Sequence, residues 1–293
     1  MTLEFPPPPG LAANAVWTGR CFEVGGNTER ILAYDQPPAG WSEDLTSVYL
    51  DDNGGEDHYI NVASRNNTIA SLKSWLRTDA PRVIDIGCAS GYLLRLIREN
   101  FPRATVIGAD SFPEALKNTA ARLADVPLLQ FDLAKCPLPE QFLDAVIALN
   151  VLEHIEDDEA AIAHIFRILR PGGIACLEVP AGPGLYDIYD RELQHYRRYK
   201  LADLTAKLKR QGFGILHRSH LGFLIFPAFW FVKKKNRRYG KLSPEEQRAI
   251  VLKTIRSSGN LPLMHRLMAA EGWLRRRVHF PVGIRCLIVC ARP

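Results

Sequence analysis

The strongest constraint in this chain is the run Val83-Ile84-Asp85-Ile86-Gly87-Cys88-Ala89-Ser90-Gly91, followed by a helical stretch that begins at Tyr92. β-branched residues favour a strand, and the glycines allow a turn tight enough for backbone and ligand to approach closely. A helix that starts there leaves its first N–H groups free beside whatever the turn holds. The pattern recurs from about residue 61 onward. Strands are expected at 82–86, 105–109, 128–131, 145–149, 174–179, 215–218 and 285–291, with helices at 69–76, 91–100, 114–123, 159–169 and 201–211. Such alternation is the signature of βαβ units and a mostly parallel sheet with helices on both faces.

Outside that alternation lie two further regions. Residues 1–57 are rich in Gly, Asn, Asp and Pro, show little periodicity, and read as an N-terminal extension. Its acidic stretch 51–57 reads as a polar turn, because the acids do not alternate as a calcium loop requires. Residues 226–282 carry helical patterns, including Ser243-Pro244-Glu245-Glu246, where a serine cap, a first-turn proline and acids at the positive end of the helix dipole coincide. The chain thus divides into an extension (1–57), an α/β core (58–225), a basic helical insertion (226–282) and a final core strand (283–293).

A chain of 293 residues that is 47% hydrophobic and 24% charged can bury a sizeable core. Its net charge of +5 hides an asymmetry. Residues 1–190 hold 14 Lys and Arg against 27 Asp and Glu, or −13, whereas 191–293 hold 23 against 5, or +18. A field of that sign attracts phosphate-bearing partners. The first basic residue is Arg20, after a stiff proline cluster, so no secretory leader is expected and the chain reads as cytoplasmic. Its longest apolar run, 221–232, has 12 residues and contains Pro227, against the roughly 20 that a bilayer span needs. The six cysteines include no CxxC pair, so neither a disulfide framework nor a zinc site is expected.

Asp110 closes the second core strand 19 residues after Gly91, where a carboxylate can accept two hydrogen bonds from a ribose diol. A dinucleotide fingerprint would need a third glycine where Leu94 stands. Cys88, two positions before Ser90, stands where a GxSxG hydrolase elbow needs its first glycine, and no Walker lysine follows, so hydrolase and P-loop chemistry are excluded.

Together Asp85 to Gly91, Gly108-Ala109-Asp110-Ser111, Gln130-Phe131-Asp132-Leu133, Asn150-Val151-Leu152-Glu153-His154-Ile155 and Leu169-Arg170-Pro171-Gly172-Gly173 resemble class I S-adenosylmethionine-dependent methyltransferases in order and spacing. The resemblance implies a Rossmann-like, seven-stranded, mostly parallel sheet. It implies that the Gly87–Gly91 turn, with Cys88 and Tyr92, holds the methionine end of S-adenosyl-L-methionine. Asp85 and the Asn150 backbone, next to Val151, would orient its amino group; Asp110 and Ser111 would take the ribose, and Asp132 with the Leu133 backbone the adenine. Ala89 stands where the usual loop has glycine. A narrower likeness, to bacterial members with an upstream His-aromatic and Arg and a His, Arg and Tyr-rich loop after the fifth strand, implies that Tyr59 and Arg65 form a lid over the cofactor.

Methyl transfer is an in-line displacement, so a general base is needed only for acceptors with an acidic proton such as a hydroxyl. His195 is the first candidate base and His154 the second, with Tyr186, Arg198 and Tyr199 shaping the acceptor pocket. His195 can equally pair with Asp190 or Asp187 to stiffen its loop. No metal is expected, because Glu153 and His154 are sequence neighbours and His217 and His220 point to opposite faces of a strand. The expected acceptor is a small or lipid-linked molecule, the apolar run and the KKKNRR stretch after it resembling an anchor for an anionic membrane surface. The alternative is a non-catalytic nucleoside-binding or membrane-associated module that kept the fold. Nucleic acid ranks third as a partner, since no recognised module and no interleaved aromatic platform is present.

Overall fold

The computed structural model describes residues 3–36, 57–257, 261–275 and 278–293. The acidic stretch read as a polar turn therefore lies, but for Asp57, outside the described residues. The chain opens with four three-residue strands, β1 (Leu3–Phe5), β2 (Ala15–Trp17), β3 (Phe22–Val24) and β4 (Asn27–Glu29), that form their own antiparallel sheet. Strands this short carry too few positions to show alternation, which is why the segment reads as aperiodic. What orders them is aromatic packing: Phe5 meets Phe22 edge-on at 5.5 Å, and Trp17 lies 4.8 Å from Phe22.

The next strand, β5 (Ile31–Ala33), leaves that sheet and pairs in parallel with β8 (Leu128–Gln130) at the edge of the main one. The core then runs α1 (Tyr59–Trp75), β6 (Arg82–Ile86), α2 (Tyr92–Asn100), β7 (Thr105–Asp110), α3 (Pro113–Arg122), β8, β9 (Leu143–Leu149), α4 (Asp158–Ile168) and β10 (Leu169–Pro180). It continues with the short α5 (Ile188–Glu192), α6 (Leu201–Arg210) and β11 (Gly214–Leu221), and closes with β12 (Arg285–Ala291). Spatial order is β11-β12-β10-β9-β6-β7-β8-β5, with β12 antiparallel to both of its neighbours. The sheet thus has eight strands where seven are expected, the eighth being lent by the N-terminal extension.

Alternate residues of each strand face opposite sides. Ile84, Ile86, Val146 and Ile288 join α4, α6 and the small N-terminal sheet on one face, while Val83, Ala145, Ile147 and Val289 pack against α1, α2 and α3 on the other. Both faces of the sheet are covered, as a parallel sheet requires.

Two local departures matter for the site. Helix α1 starts at Tyr59, ten residues before the apolar periodicity becomes visible at 69, because its first turns bury polar residues: Ser64, Asn67 and Thr68 are all enclosed. Ser64 and Thr68 return their hydroxyls to the carbonyls four residues back, at 2.9 and 3.0 Å. At the other departure, α4 ends at Ile168 and Leu169 already pairs with Leu143; regular pairing resumes only at Ile174. Pro171-Gly172-Gly173 is therefore a bulge inside the strand, with Gly172 at φ 78°.

Between β11 and β12 stand three helices, α7 (Phe226–Asn236), α8 (Pro244–Ser257) and α9 (Pro262–Arg275). Ser243 caps α8 as expected, and Glu246 makes the cap reciprocal, Ser243 N–H donating to Oε2 at 2.9 Å and Glu246 N–H to the serine hydroxyl at 3.3 Å. Helix α9 lies on α1, where Met268 joins Ile60, Ala63, Leu221 and Ile225. Among the described residues no helix is long and apolar enough to cross a membrane.

Candidate functional site

The turn after β6 folds around two positions that only glycine fits. Gly87 sits at φ 75°, and a Cβ there would stand 2.6 Å from Cγ2 of Val151; Gly91 sits at φ 78°, and a Cβ would stand 2.9 Å from Cγ2 of Thr119. Ala89 takes φ 45° without that freedom. It is held on both sides, its N–H donating to Asp110 Oδ2 at 3.0 Å and its carbonyl accepting from Thr119 at 2.6 Å. The other Asp110 oxygen accepts from the Phe112 N–H at 3.0 Å. Asp110 is thus the post on which the turn is hung. Burial raises its pKa while these backbone N–H groups pull it down. Each oxygen keeps a further lone pair for a ligand.

Asp85, the last residue but one of β6, is buried, its pKa pushed up to about 8 by burial and by the charge of Asp110. Asn150 takes φ 56° and donates its N–H to the Glu178 carbonyl at 2.7 Å, which carries Val151 against Gly87. Arg65 reaches over from α1 to the Tyr92 ring, 5.6 Å from its centre, at the N-terminus of α2. These residues gather around the turn.

Others are placed differently. Tyr59 stacks on His58 at 4.4 Å and packs under α9 beside Ile60, not with Arg65. Six positions on a helix separate two side chains by about 120°, so one residue faces α9 and the other the turn. Cys88 turns its thiol into the core, next to Gly108, and burial holds its pKa well above the ordinary thiol value. Asp132 spends one oxygen on the Ala134 N–H at 2.9 Å, capping the short turn that begins at the buried Leu133. Ser111 is half-buried next to Asp110.

The loop after β10 is a buried ion network. His195 Nδ1 lies 2.9 Å from Asp190 Oδ1, and Arg198 donates to the same oxygen at 2.7 Å. Burial alone would raise the Asp190 pKa, but the His195 hydrogen bond and the charges of Arg198 and Lys233 hold it well below the usual carboxylate range. His195 is itself lowered by burial, against the pull of Asp190, so it is neutral at pH 7 with Nε2 left for a second partner. Its ring meets that of His154 edge-on at 4.6 Å. Burial depresses His154 to about 3. Tyr186 is at the surface and donates its hydroxyl to the His195 carbonyl at 2.7 Å. Arg198 and Tyr199, expected to shape the acceptor pocket, are both held by partners within the protein. Arg198 is enclosed, and Tyr199 is a buried strut that donates to Leu152 O at 3.1 Å and Asp158 Oδ2 at 2.9 Å.

Sequence reasoning missed two groups. Glu178, inside β10, is fully buried and accepts from Ser64 at 2.6 Å and Arg285 at 2.7 Å, and Arg285 also reaches Asn61 at 3.0 Å. An acid within the apolar strand 174–179 is the signal that marks it. The second is a donor set: Glu153, His154 and His195 present atoms within 4.8 Å of one another, and both Glu153 oxygens are buried without a hydrogen bond. Burial raises Glu153 to about 8. These three can hold a divalent cation, with His195 supplying a ligand that lies 41 positions from His154 and is brought to it only by the fold.

Residues 84–177 match the family model described as a methyltransferase domain. A probable S-adenosylmethionine-dependent methyltransferase of Mycolicibacterium smegmatis is 32% identical over 150 residues, 48% of this chain and 58% of that protein. A trans-aconitate 2-methyltransferase of Methylobacterium radiotolerans is 36% identical over 119 residues, 40% of this chain and 45% of that protein. The chain thus matches about half the length of these curated relatives. In fold it is similar to the phosphoethanolamine N-methyltransferase 2 of Haemonchus contortus, solved with S-adenosyl-L-methionine, at a TM-score of 0.53 and 19% identity over 78% of this chain and 52% of that one. The glycine turn and the carboxylate at the end of the next strand lie in the matched segment, so residues 84–177 of this chain form a methyltransferase domain similar to that of an S-adenosylmethionine-dependent relative.

Proposed function

We propose that the chain transfers a methyl group from S-adenosylmethionine to a hydroxyl oxygen of a small-molecule or lipid-linked acceptor. The single observation that carries this is the His195–Asp190 pair seated against His154, four residues from the Asn150 whose neighbour Val151 walls the Gly87 turn. Bound in the turn, the cofactor supplies an electrophilic methyl on a sulfonium. The residues present suit that group: a glycine turn that opens the N-terminus of α2, a buried Asp85 for an ammonium, and Asp110 for a diol.

This chain's own part is positioning and proton transfer. Asp190 fixes the His195 ring through Nδ1, so that Nε2 would be the atom that takes the proton of an acceptor hydroxyl. Arg65 and Tyr92, packed together at the start of α2, would lie over a cofactor held in the turn. Arg198 and Lys233 keep Asp190 ionised, and Tyr199 braces the loop against Asp158. The relatives act on unlike acceptors, one being named for trans-aconitate, so the acceptor here is defined by chemistry, a hydroxyl within reach of His195.

The test begins with calorimetric titration of S-adenosylmethionine, S-adenosylhomocysteine and NAD into the protein and its Asp110→Ala variant. The proposal expects micromolar binding of the first two, lost in the variant, and none of NAD. Transfer of labelled methyl from the cofactor into a small-molecule extract, abolished by His195→Ala, then identifies the acceptor. A folded protein that binds cofactor but labels nothing points to the non-catalytic module instead.

A further inference from the structure

Helix α7 is built inside out. On its inward stripe, at helical spacing, the apolar Ile225 and Phe229 give way to Lys233, which is 5% exposed, and to the buried Asn236. On its outward side Trp230, Phe231 and Val232 are 44%, 66% and 46% exposed. A lysine is almost never buried without partners, and Lys233 has two, Asp187 at 2.6 Å and Asp190 at 3.2 Å, while Asn236 donates to the other Asp187 oxygen at 3.1 Å. That network fixes the rotation of the helix. The exposed apolar face is therefore a built feature of the fold, and three consecutive large apolar residues in water mark a contact surface.

The surroundings say what the contact is. Lys234 places its ammonium 5.2 Å from the centre of the Trp230 ring, and Lys235, Arg238 and Lys241 are exposed on the turns that follow. No acidic residue occurs between Asp203 and Glu245. A second copy of the chain meeting this face about a two-fold axis would press these cations against their own equivalents. Nucleic acid gives phosphates but no home for Phe231 and Val232. An anionic bilayer offers both partners, phosphate for the cations and an acyl boundary for the apolar residues.

We propose that the outward face of α7 docks on an anionic lipid bilayer, Trp230, Phe231 and Val232 entering the headgroup boundary and Lys234, Lys235 and Arg238 facing lipid phosphates. Because Lys233 ties the same helix to Asp187 and Asp190, docking brings the loop that holds His195 to the membrane side of the molecule. The docking itself does not depend on the proposed methyl transfer.

The experiment is co-sedimentation of the full chain with vesicles of phosphatidylcholine alone and of phosphatidylcholine mixed with phosphatidylglycerol. Two variants are compared, Trp230→Ser with Phe231→Ser, and Lys234→Glu with Lys235→Glu, each checked by thermal melting, which solvent-facing changes leave in place. Binding to the anionic vesicles alone, weakened at least about tenfold by either pair, is the expected result. The proposal is overturned if the protein stays in the supernatant, or if binding survives the serine pair, which reduces the contact to bare charge. It is equally overturned if sedimentation velocity shows a dimer that the serine pair dissolves.

Discussion

The Nζ of Lys233 lies 2.6 Å from Oδ1 of Asp187, with both side chains enclosed. This contact joins the helical insertion to the loop that carries His195, and it is a pair whose halves are expensive to separate. Lys233→Met leaves Asp187 and Asp190 buried with less compensation, a loss of about 3–5 kcal/mol, or on the order of 10 °C in midpoint. Burial lowers the lysine's own pKa, opposed by the two aspartates, and its charge is among those that depress His195. Turnover in the variant therefore shows its acid limb at higher pH than wild type, a shift that simple destabilisation does not produce.

Neutral His195 is the form that accepts a proton. Its pKa is held below the ordinary value near 6.5 by burial, so the base form dominates at pH 7 and turnover falls only as pH drops through that lowered value. His195→Ala is expected to lower kcat by about 10²- to 10⁴-fold. Affinity for S-adenosylmethionine, measured calorimetrically, stays within about twofold of wild type because the ring does not belong to the cofactor turn. An unchanged kcat removes His195 from the chemistry and leaves it a stiffener of the loop.

The same Nε2 lone pair serves a proton or a metal ion, not both. With His195 as base, turnover survives a chelator, and added zinc inhibits by bringing Glu153, His154 and His195 together on one ion. Loss of activity on chelation, restored by magnesium, assigns those three donors to a working cation and takes the base role from His195.

The parallel core was legible because its strands are buried on both faces and so spell continuous apolar runs; 82–86 and 285–291 match the observed strands end to end. The turn from Gly87 to Gly91 was legible because φ near 75° leaves glycine few substitutes. What stayed hidden had no periodic signal. β5 is three residues long, and its place beside β8 depends on a pairing 97 positions away in sequence. The first turns of α1 bury Ser64, Asn67 and Thr68, which reads as a polar loop. Tyr199 and Arg198 look like pocket residues in a list of aromatic and basic side chains, and only the fold shows them spent on Asp158 and Asp190.

Gly87 tests how closely the turn is built against the strand beside it. In Gly87→Ala the new Cβ meets Val151 Cγ2 at 2.6 Å and the backbone must hold φ 75°. The two penalties separate in a double variant. Adding Val151→Ala removes the clash and leaves the left-handed strain, worth about 1–2 kcal/mol. Cofactor affinity is expected to be lost in Gly87→Ala and to return in part in the pair; calorimetry on both measures it. Full affinity in Gly87→Ala alone contradicts the assignment of the turn.

Asp85 gives the cofactor site a pH signature. Its pKa of about 8, set first by burial and then by Asp110, means that it is mostly protonated in the free protein at pH 7. An unfolded aspartate titrates near 3.9, so the unfolded chain gives up this proton first and the residue costs stability increasingly as pH rises from about 4 to about 8. An ammonium arriving beside Asp85 favours the carboxylate and expels that proton. Binding of S-adenosylmethionine is therefore expected to release a proton at pH 7 and to tighten as pH approaches 8, read from calorimetric heats in buffers of different ionisation enthalpy. In Asp85→Asn the part of the release owed to this residue vanishes, and the melting midpoint rises relative to wild type at pH 8 but hardly at pH 5. A release identical in wild type and variant places the ammonium elsewhere.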